Sequence, residues 1–166
     1  MAASCASDKP PSLLLALRLH SSQVMTSKST KRAKSAALVR RYMTPAPRTI
    51  GPLQMLSQAH ELMRAHRIHH LPVLAGDKLV GIVSQRDLLL IESLPGVNAA
   101  EVPVEDAMTR DVFVVDSATP LAKVTAEMAD RRRGSAVVMH GDRVVGVFTV
   151  TDACRVLTRL LGPGRR

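Results

Sequence analysis

An α/β fold made from two copies of one strand-helix-strand-strand-helix unit is what this sequence predicts. Three observations carry the prediction. Val80-Gly81-Ile82-Val83-Ser84-Gln85-Arg86-Asp87 returns 65 residues later as Val145-Gly146-Val147-Phe148-Thr149-Val150-Thr151-Asp152. Met43-Thr44 returns as Met108-Thr109, and Gly76-Asp77 as Gly141-Asp142, at the same offset. Between these landmarks the apolar pattern switches from helical to strand spacing in both copies. Residues 43–87 and 108–152 share 11 identities in 45 positions without a gap, spread evenly enough that one shared unit is the simplest cause.

In the first copy Leu53, Leu56, Ala59, Leu62 and Met63 recur at helical spacing between Pro52 and the basic stretch Arg64 to Arg67, predicting an amphipathic helix. Leu71-Pro72-Val73-Leu74 and Leu79-Val80-Gly81-Ile82-Val83 flank Gly76-Asp77, a pairing that reads as a hairpin. Asp87 to Ile91 then gives a short apolar helix that ends before Pro95-Gly96. In the second copy Leu121, Val124 and Met128 mark the first helix, with Ala136 to Met139 and Val144 to Phe148 as strands. The expected organisation is a flexible basic tail over 1–38, one repeat over 39–97, a second over 98–161, and a short basic tail over 162–166.

The 166 residues, 46% of them apolar, suffice for one compact core. The longest early apolar run, Leu13 to Leu17, is broken by Arg18 and falls far short of the roughly 20 residues of a membrane span; no membrane partner is expected. Aromatic residues make up 2% with no Trp, so stacking platforms for single-stranded nucleic acid are lacking. Cys5 and Cys154 form no framework or metal spacing, which fits a reducing, cytoplasmic setting. The net charge of +9 is concentrated in residues 1–42, with eight Lys or Arg against one Asp; residues 43–166 carry fifteen basic and thirteen acidic side chains. The tail reads as a solvated extension, or as a salt-sensitive contact to nucleic acid. For residues 1–24 a signal-like core lacking an A-x-A site, an organelle transit segment and a true start at Met25 all stay open.

The order Met-Thr-Pro, amphipathic helix, Leu-Pro-Val strand, Gly-Asp turn and Gly-Ile-Val-Ser-Gln-Arg-Asp resembles the cystathionine β-synthase (CBS) domain, which occurs as tandem pairs called Bateman modules. Gly134-Ser135-Ala136-Val137-Val138 and Gly146-Val147-Phe148-Thr149-Val150-Thr151-Asp152 are similar to another common form of the motif. The resemblance covers residues 39–161. It implies two CBS repeats meeting around a pseudo-two-fold axis, a disc-like homodimer, and adenosyl ligands such as AMP, ADP, ATP or S-adenosylmethionine as regulatory rather than catalytic cofactors.

The motif itself supports that chemistry. Where a buried strand turns into a helix, the first N–H groups and the positive end of the dipole can hold an anion. Ser84 and Thr149 stand at that turn and could donate to a phosphate; Asp87 and Asp152, three residues on, could accept both hydroxyls of a ribose. Gly81 and Gly146 are read as allowing close backbone approach. Ile50, Leu71, Pro72 and Val73, with Val114, Ala136 and Val137, are candidates for a purine slot, and Arg86, Ser135 and Thr151 complete the candidate set. The competing reading is structural: Ser84-x-x-Asp87 and Thr149-x-x-Asp152 are also close to capping boxes. Arg67 and Arg131 to Arg133 lie at expected helix C-termini, where they complement the dipole or reach phosphates. His60, His66, His69 and His70 lack the spacing of a metal site. No catalytic constellation stands out, so the expectation is a sensor that is not an enzyme and signals to a target in trans. The alternative is a ligand-free dimeric interaction module whose basic tail contacts nucleic acid.

Overall fold

A computed structural model describes residues 37–162; the expected tails, apart from Ala37, Leu38 and Gly162, and the readings of Cys5, Leu13 to Leu17 and residues 1–24 lie outside the described residues. A turn of 3-10 helix at Val39–Arg41 precedes β1 (Thr44–Pro45), α1 (Leu56–His66), β2 (His70–Ala75), β3 (Lys78–Ser84) and α2 (Gln85–Glu92). The second copy comprises α3 (Val104–Ala107), β4 (Val114–Asp116), α4 (Leu121–Asp130), β5 (Ser135–His140), β6 (Arg143–Thr149) and α5 (Val150–Leu161). The predicted alternation is present.

Both hairpins form with the same register. β2 and β3 pair antiparallel from His70↔Ser84 to Ala75↔Lys78, and β5 and β6 from Ser135↔Thr149 to His140↔Arg143, each with an irregularity at the equivalent Val73/Leu74 and Val138/Met139 steps. The turns place Gly76 at φ +61° and Gly141 at φ +57°, a conformation that glycine adopts without the clash a Cβ would bring.

The two copies are interlocked through their leading segments. β1 of the first copy pairs with β6 of the second, Thr44 opposite Val147 and Pro45 opposite Gly146. Reciprocally, Thr109 of the second copy bridges Ile82 of the first, with Thr109 N–H donating to Ile82 O at 2.8 Å and Ile82 N–H to Thr109 O at 3.0 Å. The turns just before these residues are tied down in the same way: Val39 N–H donates to Thr119 O, and Val104 N–H to Gln54 O. Val39 therefore lies in the core of Val124, Met128, Val138 and Phe148, whereas Val104 and Met108 lie in that of Leu56, Met63, Leu71 and Leu88. Each apolar core is completed by the other copy's leading arm. Burial of a Val side chain stabilises by about 1.5–3 kcal/mol, so the fully buried Val39 and Val104 tie the repeats together.

The helix faces match the sequence pattern with one difference. α4 buries Leu121, Val124 and Met128 as its pattern predicts, but α1 starts at Leu56 and buries Leu56, Ala59 and Met63. Leu53 lies in the preceding turn and is 71% exposed, because Gln54 O and Met55 are engaged by the incoming Val104 arm and a bridge to Pro103 before the helix begins.

Candidate functional site

At the end of β3 the chain turns at Ser84 into α2, and at the end of β6 it turns at Thr149 into α5. Both turns are closed by complete capping boxes. Asp87 Oδ2 accepts from Ser84 N at 2.8 Å and from Ser84 Oγ at 2.6 Å, while Ser84 Oγ accepts from Asp87 N at 3.3 Å. Asp152 Oδ2 does the same for Thr149 N and Oγ1 at 3.0 and 2.8 Å. The hydroxyl donors that could have met a phosphate are thus directed at the carboxylates, and the structural side of the motif is realised in both copies, at about 1 kcal/mol per cap.

The carboxylates differ in their second oxygen. Asp152 is buried, and its Oδ1 accepts from Arg155 Nη1 at 2.9 Å. Leu90 occupies the position equivalent to Arg155, and Asp87 Oδ1 has no hydrogen-bond partner among the described residues.

Above each turn opens a cleft between the copies, and the two clefts are built from residues 65 positions apart. One, of about 570 Å³, joins Ile82, Ser84, Arg86 and Asp87 of the first copy to Thr109, Asp111, Val112 and Phe113 on the arm of the second and to Arg132 to Ser135 after α4. The other, of about 310 Å³, joins Val147, Thr149, Thr151 and Asp152 to Thr44 and Ala46 to Arg48 on the first arm and to Arg67 to His70 after α1. The exchanged arms that complete the cores therefore also supply one wall of each cleft.

Of the residues singled out from the sequence, Ser84, Arg86, Asp87, Ser135, Thr149, Thr151 and Asp152 line these clefts. Ile50, Leu71, Pro72, Val73, Ala136 and Val137 do not; their side chains are enclosed in the protein interior. Val114 faces a separate groove with Leu74, Leu79 and Met139. The apolar lining comes instead from Ile82, Val112 and Phe113 in one cleft and Pro47, Ile68 and Val147 in the other. Gly81 and Gly146 do permit close approach, but of Met108 and Met43 from the opposite arms: a Cβ would lie 2.9 Å from Met108 Cγ and 2.8 Å from Met43 Cγ.

Electrostatically the clefts are cationic. Arg133 is held by the Asp111 carboxylate and donates to Asp111 O at 2.8 Å, while Arg131 pairs with Glu127 at 3.1 Å along α4. Arg67 and Arg132 occupy equivalent left-handed positions, both at φ +52°, after α1 and α4. The following N–H in each case returns to the helix, Ile68 N to Met63 O at 3.0 Å and Arg133 N to Met128 O at 2.8 Å, the geometry in which glycine is the usual occupant. His69 Nδ1 lies 2.6 Å from Gln85 Oε1, and His70 lines both clefts. Burial, with His69 and Arg86 adding and Asp87 opposing, holds the His70 pKa below its ordinary value of 6.5. His60 instead faces Glu92 at 3.0 Å, and no metal-binding group of three His, Cys, Asp or Glu exists among the described residues.

The arm residues Thr44, Arg48, Thr109, Asp111 and Phe113 were not candidates from sequence. Their signal was the repeated Met-Thr pair, which marked equivalence without revealing that each arm crosses to the other copy.

Comparison with known proteins places this geometry in a class. The CBS domain profile matches residues 39–93 and again 104–159: the chain belongs to the CBS domain family and carries the domain as a tandem pair. Among solved structures it is similar to a Vibrio cholerae protein assigned to acetoin utilization, AcuB, with 34% identity and a TM-score of 0.68 over 76% of this chain and 93% of that one. It is also similar to the CBS domain pair of MJ0100, solved with 5′-methylthioadenosine and S-adenosyl-L-methionine, with 26% identity and a TM-score of 0.67 over 74% of this chain and 96% of that one. A curated relative, the inosine-5′-monophosphate dehydrogenase of Korarchaeum cryptofilum, is 32% identical over 131 residues. Those residues span 78% of this chain but 25% of that enzyme. No helix among the described residues is long and apolar enough to cross a membrane.

Proposed function

We propose that this chain is a non-catalytic regulatory module that binds an adenosyl nucleotide in a cleft between its two repeats and signals to a partner protein in trans. The observation that carries the reading is the pair of clefts built from residues at one constant offset, each with a helix N-terminus, a carboxylate, an arginine in a left-handed turn and a wall from the opposite arm. An adenosyl ligand has matching parts: a flat base for the apolar wall, a ribose for the carboxylate and phosphates for arginine and backbone N–H groups. The adenosyl compounds in the MJ0100 domain pair support the choice of ligand. Because each cleft is walled by both copies, a ligand that favours one arrangement of the arms shifts the equilibrium seen by a partner.

Homodimerisation belongs to the same reading. α5 leaves Val150, Cys154, Leu157 and Leu161 exposed at spacings that put them on one helical stripe, a face suited to a second copy in a reducing, cytoplasmic compartment.

The complete capping boxes favour a second reading, in which Asp87 and Asp152 serve only the helices and the module is a ligand-free dimeric interaction unit whose basic tail meets nucleic acid. Calorimetric titration of the full chain with AMP, ADP, ATP and S-adenosylmethionine separates them. Saturable binding supports the sensor; no heat from any of the four up to millimolar concentration supports the interaction unit.

A further inference from the structure

The clefts are equivalent in position but not in chemistry. Phe113 stands on the wall of the larger cleft where Arg48 stands in the smaller. In a chain with two Phe, one Tyr and no Trp, Phe113 is an aromatic side chain lining a cleft, and such a ring is a general partner of a purine. Asp87 keeps Oδ1 without a partner among the described residues, whereas the same oxygen of Asp152 already receives Arg155. The larger cleft therefore offers an aromatic wall and a free ribose acceptor, where the smaller offers the aliphatic Pro47, Ile68 and Val147 and an acceptor oxygen already engaged.

The charges of the larger cleft select the group attached beyond the ribose. Asp111 is neutralised by Arg133, and Asp87 has its Oδ2 fixed by the Ser84 cap. Arg86, in the first turn of α2, and Arg132, in its left-handed turn, remain as guanidinium groups with no ion pair among the described residues. A phosphate chain is complementary to such a pair. The sulfonium and ammonium of S-adenosylmethionine are not.

We infer that the Ser84/Asp87 cleft is the principal ligand site and that it takes a phosphorylated adenine nucleotide in preference to S-adenosylmethionine, with Phe113 against the base, Asp87 Oδ1 on the ribose and Arg86 and Arg132 on the phosphates. The inference rests on the adenosyl-sensor reading and adds to it the cleft, the ligand class and the residues that select it.

Calorimetric titration of the full chain with ADP and with S-adenosylmethionine, repeated on Arg86→Gln, Phe113→Leu and Arg48→Gln, tests it. ADP should bind at least about tenfold more tightly than S-adenosylmethionine, and Arg86→Gln and Phe113→Leu should each weaken ADP about tenfold, well beyond the effect of Arg48→Gln. Thermal melting identifies any Phe113→Leu effect that comes from its packing against the second core; the exposed Arg86 then carries the comparison. Tighter S-adenosylmethionine binding, or a larger loss with Arg48→Gln than with Arg86→Gln, overturns the assignment while the adenosyl-sensor reading stands. Binding of neither ligand overturns both.

Discussion

Met43 lies against Gly146 so closely that a Cβ on the glycine would be 2.8 Å from Met43 Cγ. The two residues belong to different repeats, and Met108 on Gly81 is the same contact in reverse. The glycine of the Gly-Val-Phe-Thr and Gly-Ile-Val-Ser motifs is thus a seat for the opposite arm, and the contact that joins the repeats also positions the wall of each cleft.

Gly146→Ala should destabilise the chain by about 1–3 kcal/mol, since the methionine must leave its place beside β6. Chemical denaturation measures it. Adding Met43→Ala should recover part of the loss, with a coupling of at least about 0.5 kcal/mol between the two sites. Strict additivity of the two changes would remove the proposed interlock.

An L side chain at φ +52° is strained by roughly 1 kcal/mol relative to glycine, yet arginine occupies both equivalent turns, Arg67 and Arg132, on the rims of the clefts. Arg132→Gly should raise the melting temperature by about 2 °C and at the same time weaken nucleotide binding several-fold. A variant that is less stable and binds as before would show that the side chain serves the fold.

His70 gives the protein an acid-sensitive component. Burial, then His69, hold its pKa below 6.5, with Asp87 opposing and Arg86 adding. Below 6.5 the unfolded chain therefore binds more protons than the native one. The stability from keeping His70 neutral is fully present above 6.5 and is lost as pH falls through the lower native pKa. Melting temperatures measured from about pH 7.5 to about pH 5 should decline more steeply for the wild type than for His70→Gln. Parallel curves would place the acid sensitivity elsewhere.

Much of this architecture was legible because its signals are local. The Gly76-Asp77 and Gly141-Asp142 turns, the Leu121, Val124 and Met128 face and the Ser84 and Thr149 caps are each set by residues within a few positions of one another. The exchange of the arms was not legible, since Met43-Thr44 carries no local mark of which sheet it joins. The lining of the clefts was hidden for the same reason. Leu71, Val73, Ala136 and Val137 lie on β2 and β5 and are fully buried, so their side chains fill the protein interior rather than the clefts. Phe113 and Asp111 reach a cleft only because the arm that carries them crosses to the first repeat.

The most direct measurement is a crystal structure of the chain grown with saturating ADP. The account predicts the nucleotide between the repeats, its base against Phe113, its ribose on Asp87 Oδ1 and its phosphates near Arg86 and Arg132. ADP bound outside both clefts, or both clefts empty in crystals grown at millimolar ADP, would contradict the claim that this module senses an adenosyl nucleotide at the junction of its repeats.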